Sequence, residues 1–267
     1  MEWFIRASEK GISTAFNSLG GMYHFGNGVE RDVVQAMEYW VKAGESGDPS
    51  AYGNIGLLYS KGDGVELDKS QAMKWYILAS ENGHRKSTYA IGMLYYGRGR
   101  NVDYSEAIEW FIKASDEGSE DAMHMIGEMY YEAQGVKRDY GKATEWYLKA
   151  FKCGCPGAAF SIGMMYFMVN GVPRDYTKAM DWFLKASEGG CGEAMVNISH
   201  LYYYGTGVEV DMPKAFEWVV KASDHGLPNA KLEVGKMYKD GLGVERDYVK
   251  AMDLLREADE AGVVEAA

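Results

Sequence analysis

The sequence predicts an all-α fold, a solenoid of stacked antiparallel helix pairs, and three observations predict it. A pattern of 36 residues recurs along nearly the whole chain. Within each copy, small and apolar residues fall at i, i+4 and i+8 and then at i, i+3, i+4 and i+7, the signatures of two helices with one buried face each. Glycines and an aspartate stand at fixed offsets between the halves, where helices end and begin. A helix pair this short cannot bury its apolar face alone, so neighbouring copies must cover one another. The 267 residues are therefore expected to form one elongated domain.

Taken in order, residues 1–11 hold the second half of a unit, with Trp3 and Phe4 as an aromatic pair, then Ala7 and a closing Gly11. Seven full units follow at 12–47, 48–83, 84–118, 119–154, 155–190, 191–226 and 227–262, and 263–267 starts another, with Ala266 at its first small position. One interval is 35 residues long because the loop after Tyr95 is shorter. Both ends read as cut within a repeat, so the chain is expected to be a fragment of a longer array or to begin with an added Met.

The first helix of a unit carries Ala15, Leu19 and Tyr23 on one face. Beside Leu19 sits Gly20, repeated as Gly56, Gly92, Gly127, Gly163 and Gly235, with Ser199 in the sixth unit. A glycine within a helix costs about 1 kcal/mol relative to Ala, so its recurrence is expected to mark close approach of the partner helix. The loop Gly26-Asn27-Gly28-Val29 recurs with decay and suits left-handed turns. An aspartate follows in every unit (Asp32, Asp68, Asp103, Asp139, Asp175, Asp211, Asp247) where a helix N-cap belongs. Three residues on, Gln35, Gln71 and Glu106 are placed to close a capping box, whereas later units put Lys there.

The second helix presents Ala36, Tyr39, Trp40 and Ala43. At the Tyr39 register stand Trp75, Trp110, Trp146, Trp182 and Trp218, and these indoles are expected to fill the space between helices. Gly47 and its equivalents end the second helices, with Pro49, Pro156 and Pro228 just beyond.

Composition narrows the function classes. A formal charge of −11 argues against a surface that tracks nucleic-acid phosphates and favours a neutral or basic partner. No apolar run is long enough to insert into a membrane. Cys153, Cys155 and Cys191 are too few for a disulfide framework and read as free thiols, a weak pointer to a reducing, cytoplasmic compartment.

The pattern Ala-x-x-x-Leu-Gly-x-x-Tyr-x-x-Gly-x-Gly-Val-x-x-Asp-x-x-Lys-Ala-x-x-Trp-x-x-x-Ala covers nearly the whole chain and resembles the Sel-1-like repeat. That repeat is a relative of the tetratricopeptide repeat, with a longer turn between its helices. The resemblance implies a right-handed superhelix whose first helices line a concave face. It also implies an adaptor or scaffold, as in ubiquitin-ligase complexes of the endoplasmic reticulum, regulators of cell-wall synthesis and bacterial proteins that face host or envelope partners.

Signals for catalysis are sparse. His124 and Glu128 have metal-ligand spacing, but a third ligand from His200 lies two repeats on. The Gly-x-Gly loops lead into Glu and Asp, which would repel phosphate. The aspartates recur singly, as caps do, and no Gly-x-Ser-x-Gly elbow is present. The Asn197-Ile198-Ser199 sequon falls inside a first helix and is expected to stay unmodified. Some cysteine-rich relatives of the repeat are associated with β-lactam binding or hydrolysis, but this chain lacks their paired cysteines. No catalytic residue, metal or cofactor is therefore assigned.

Tetratricopeptide geometry would aim the residues two before and two, five and six after the Leu19 register into the groove. In the middle units these are Tyr89, Met93 and Tyr96; His124, Glu128, Tyr131 and Glu132; Phe160, Met164, Phe167 and Met168; and Val196, His200, Tyr203 and Tyr204. Aromatic and Met side chains there are not expected to be needed for helix pairing, and suit a peptide anchor. The sequence thus predicts a non-enzymatic scaffold that binds an extended peptide or protein, with a purely architectural spacer as the alternative and end-to-end self-association open to it.

Overall fold

The structure is a computed structural model that describes residues 1–97, 102–168 and 170–263. Among the described residues there are fifteen helices and no strand, the all-α solenoid of helix pairs that the pattern predicts. Ala266 and most of the loop after Tyr95 lie outside them. The chain divides into two compact units, 1–137 and 138–267. The first holds α1 (Glu2–Ser8), α2 (Ser13–Phe25), α3 (Val33–Glu45), α4 (Pro49–Lys61), α5 (Lys69–Glu81), α6 (Arg85–Tyr96), α7 (Tyr104–Asp116) and α8 (Glu120–Glu132). The second holds α9 (Tyr140–Lys152), α10 (Pro156–Met168), α11 (Tyr176–Glu188), α12 (Gly192–Tyr204), α13 (Met212–Asp224), α14 (Pro228–Asp240) and α15 (Tyr248–Glu260).

The helix-pair interface is a ring set on a glycine. A Cβ on Gly20 would lie 2.5 Å from the Trp40 indole, and one on Gly56, Gly92 or Gly163 would lie 2.6 Å from Tyr76, Phe111 or Phe183. Those rings are buried, and Phe111 and Phe183 are sealed completely. Burying each stabilises the pair by about 3 kcal/mol at most, several times the cost of the glycine. The close approach that glycine permits is thus of side-chain ring to helix backbone. In the sixth repeat the pair changes together: Ser199 replaces glycine, Val219 replaces the ring, and Ser199 Oγ donates to the Ala215 carbonyl at 2.7 Å.

This corrects the expectation for the tryptophans. Trp75, Trp110, Trp146, Trp182 and Trp218 are only partly buried, and the sealed position is the next residue. The buried stripe runs through Ala36, Trp40 and Ala43, at i, i+4 and i+7, which leaves the Tyr39 register at its edge. There a lysine three residues on covers the indole face: Lys149 Nζ lies 4.0 Å from the Trp146 centroid, Lys185 4.1 Å from Trp182 and Lys221 4.3 Å from Trp218.

Caps follow the sequence closely, with one correction. Each recurring aspartate accepts from the backbone N–H two or three residues ahead, as Asp32 does from Gln35 and Asp175 from Lys178. No capping box closes on this pattern at Gln35, whose amide turns to Glu38 at 3.4 Å. In later repeats the lysine at that position reaches the cap carboxylate, at 3.3 Å for Lys178–Asp175 and 3.0 Å for Lys214–Asp211. The aspartate N–H also closes the loop, Asp175 donating to the Tyr166 carbonyl and Asp211 to that of Tyr202.

The second glycine of each loop has a role that spacing does not reveal. Gly171 and Gly207 have positive φ, 77° and 74°, and a Cβ there would lie 2.2 Å from Tyr140 and 2.3 Å from Tyr176. These two loops therefore rest on the start of the preceding repeat's second helix. Ala133 takes the left-handed cap at φ 63°, where other repeats use glycine.

Candidate functional site

Unit 1 carries its groove-register residues on α6 and α8. On α6, Tyr89 and Tyr96 are half-buried, with ring centroids 5.6 and 6.1 Å from Phe111. The Tyr96 hydroxyl donates to Gln134 Oε1 at 2.7 Å, and burial pushes its phenol up. Met93 is exposed. On α8, His124 Nε2 lies 3.4 Å from Glu128 Oε1, and Tyr131 is half-buried.

In unit 2, Phe160 and Phe167 of α10 pack on Phe183 at 5.7 and 6.5 Å, and Phe167 meets Tyr176 edge-on at 5.5 Å. Met164 is half-buried and Met168 is exposed. His200, Tyr203 and Tyr204 of α12 come together in a cleft of about 240 Å³ against Glu233, Lys236 and Asp240 of α14. The Tyr203 and Tyr204 rings meet edge-on at 4.8 Å, and His200 Nε2 lies 3.2 Å from both Glu233 oxygens. The hydrogen bond to Glu233 raises the imidazole pKa despite partial burial, which acts the other way.

The expectation that this register is spare to helix pairing is therefore corrected at Tyr89, Tyr96, Phe160 and Phe167. All four contact the ring that fills their own helix pair, Phe111 for Tyr89 and Tyr96 and Phe183 for Phe160 and Phe167.

The structure adds a cleft at the other end of the repeat series, of about 270 Å³ between α2 and α4. Trp40 and Leu58 line its buried part, and Phe25, Leu57 and Lys61 its exposed part. Asp63 sits at the rim, 2.9 Å from His24 Nε2 and paired with Arg31. The His24 hydrogen bond, then the Arg31 charge, hold its carboxyl below the usual range. The polar neighbours Asn17 and His24 obscure this register in the sequence, and the signal is Phe25 itself, six residues after Leu19.

The Sel1 repeat profile matches residues 1–12, 17–48, 49–84, 86–119, 120–155, 156–191, 192–227 and 228–263. The chain belongs to the Sel1 repeat family. A protective antigen present in uropathogenic Escherichia coli strains, which displays an SLR fold, is 31% identical over 98% of this chain and 56% of its own, with a TM-score of 0.75. A Sel1 repeat protein from Oxalobacter formigenes is 29% identical over 98% of this chain and 76% of its own, with a TM-score of 0.82. The chain thus spans little more than half the length of the first. No curated protein matches the sequence significantly.

Sel1 repeats, like the tetratricopeptide repeats they resemble, commonly mediate protein–protein interaction. In this Sel1 chain Cys153 is exposed and Cys155 is buried, and burial pushes the Cys191 thiol up. Among the described residues no three His, Cys, Asp or Glu side chains converge as a metal site would require. No helix among them is long and apolar enough to cross a membrane. The Asn197 amide of the sequon donates to the Glu193 carbonyl within α12.

Proposed function

We propose that this Sel1 repeat chain is a non-catalytic scaffold that holds an extended peptide segment of a protein partner against its first helices, its repeats acting together as one domain. The supporting observation is that the first helices leave large apolar side chains in solvent at recurring registers. These are Phe25, Leu57 and Met93 in unit 1 and Met168 and Tyr204 in unit 2. None is required to seal a helix pair, and exposed aromatic and Met side chains beside clefts are what a peptide anchor needs. His124, Glu128 and Tyr131 in unit 1, and Met164, His200 and Tyr203 in unit 2, would line the first-helix surface of their own unit, whereas Tyr89, Tyr96, Phe160 and Phe167 would support it from behind.

The test is selection from a random peptide display library on the purified chain. An enriched consensus containing a large apolar residue is expected, with binding lost on Met168→Lys or Tyr204→Lys while far-UV circular dichroism is unchanged. Absence of any consensus would favour a spacer, and binding indifferent to both substitutions would refute these first-helix positions as the anchor.

A further inference from the structure

The clefts between α2 and α4 and between α12 and α14 are built alike and differ in the sign of one charge. In each, an aromatic ring stands six residues after the buried Leu19 or Ile198, at the last helical position before a left-handed glycine, Gly26 or Gly205. These rings, Phe25 and Tyr204, are 70% and 69% exposed. Across the cleft, the residue six after the corresponding position of the next first helix is Lys61 in one case and Asp240 in the other.

The other charged side chains of the two clefts have partners of their own. In the α2/α4 cleft Asp63 is held by His24 and Arg31, so its carboxylate does not offset Lys61, whose amine has no acidic partner within ion-pair distance among the described residues. In the α12/α14 cleft Glu233 is tied to His200, Lys236 is engaged, and the Asp240 carboxylate has no basic partner within that distance among the described residues. On a chain of net charge −11, the first cleft thus keeps at its rim an ammonium outside any ion pair among the described residues, and the second a carboxylate outside any.

An apolar anchor that settles on either ring brings its flanking residues beside that unspent charge, in surroundings partly cleared of water. Charge there discriminates between partners more than it adds affinity. We propose that the two clefts are anchor sites of opposite selectivity, α2/α4 taking a large apolar peptide side chain flanked by carboxylates and α12/α14 taking one flanked by cations. This rests on the peptide-scaffold reading and specifies the partner's chemistry.

Two tripeptide probes test it, acetyl-Glu-Phe-Glu-amide and acetyl-Lys-Phe-Lys-amide, each titrated into the isotope-labelled full chain and followed by amide chemical shifts. The acidic probe is expected to shift amides around Phe25 and Lys61, and the basic probe those around Tyr204 and Asp240. Lys61→Glu and Asp240→Lys, both at exposed rim positions, should each weaken the matching probe about tenfold and strengthen the opposite one. If both probes shift both clefts alike, or the exchanged charges leave the preference unchanged, the selectivity is refuted and the scaffold stands. If neither probe shifts either cleft while a display-selected peptide binds elsewhere, the assignment of the clefts is refuted. If no peptide of any kind binds, the scaffold reading falls with it.

Discussion

At the scale of single residues, the glycine under each buried ring has the largest leverage. Gly163→Ala would place a methyl 2.6 Å from the sealed Phe183 ring, which has no room to retreat. The expected loss is about 1–3 kcal/mol, read as a lower urea midpoint, and Phe183→Leu in the same chain should recover part of it. Equal stability of the single variant would refute the ring-on-glycine account. His200 gives a pH-dependent prediction. Its pKa is raised by Glu233, so the pair's contribution is fully present below the ordinary imidazole pKa and is lost as pH rises through the raised value. Both side chains are partly exposed, and the contribution is correspondingly small. The His200 ring resonances should titrate above the ordinary imidazole range and move back down in Glu233→Gln, and an ordinary midpoint in the parent chain would contradict the pair.

At the scale of elements, the second helices share one start signal, and its strength is local. Asp139 accepts from the Lys142 N–H at 3.0 Å, and Asp139→Ala should cost about 1 kcal/mol, measurable by thermal or urea unfolding. The Asp175 and Asp211 carboxyls are held low chiefly by the Lys178 and Lys214 backbone N–H groups, so these caps stabilise at neutral pH and weaken as acid protonates them. Helix order, caps and loop glycines were legible in the sequence because each depends on neighbours within a few residues. The tryptophan register was not. Adjacent aromatics such as Trp182 and Phe183 look equivalent in a list, and only the rotation of the helix against Gly163 decides that Phe183 is sealed and Trp182 is left under Lys185.

At the scale of the whole molecule, repeats interact with their neighbours through the same surfaces each time, so a complete repeat can be removed at little cost while half of one cannot. Deleting 156–191, which holds α10 and α11, should leave a cooperatively folded, helical chain. Deleting α10 alone removes Gly163 from beneath Phe183 and should collapse cooperativity, seen by circular dichroism during urea unfolding. Equivalent behaviour of the two deletions would contradict modular stacking.

The candidate site divides along the same line. The sequence alone determined the all-α class, the repeat, its caps and the family, since all of these follow from residue type at fixed local spacing. It also placed Tyr204, Met168 and Met93 at the groove register. Only the tertiary structure decided which side chains at that register remain in solvent. Phe160, Phe167, Tyr89 and Tyr96 are drawn onto buried rings, whereas Phe25 and Tyr204 stand clear at the helix ends. Tertiary packing also set which charges are cancelled, because Asp63 and Glu233 meet their partners across repeats more than thirty residues apart in sequence, beyond the reach of local periodicity.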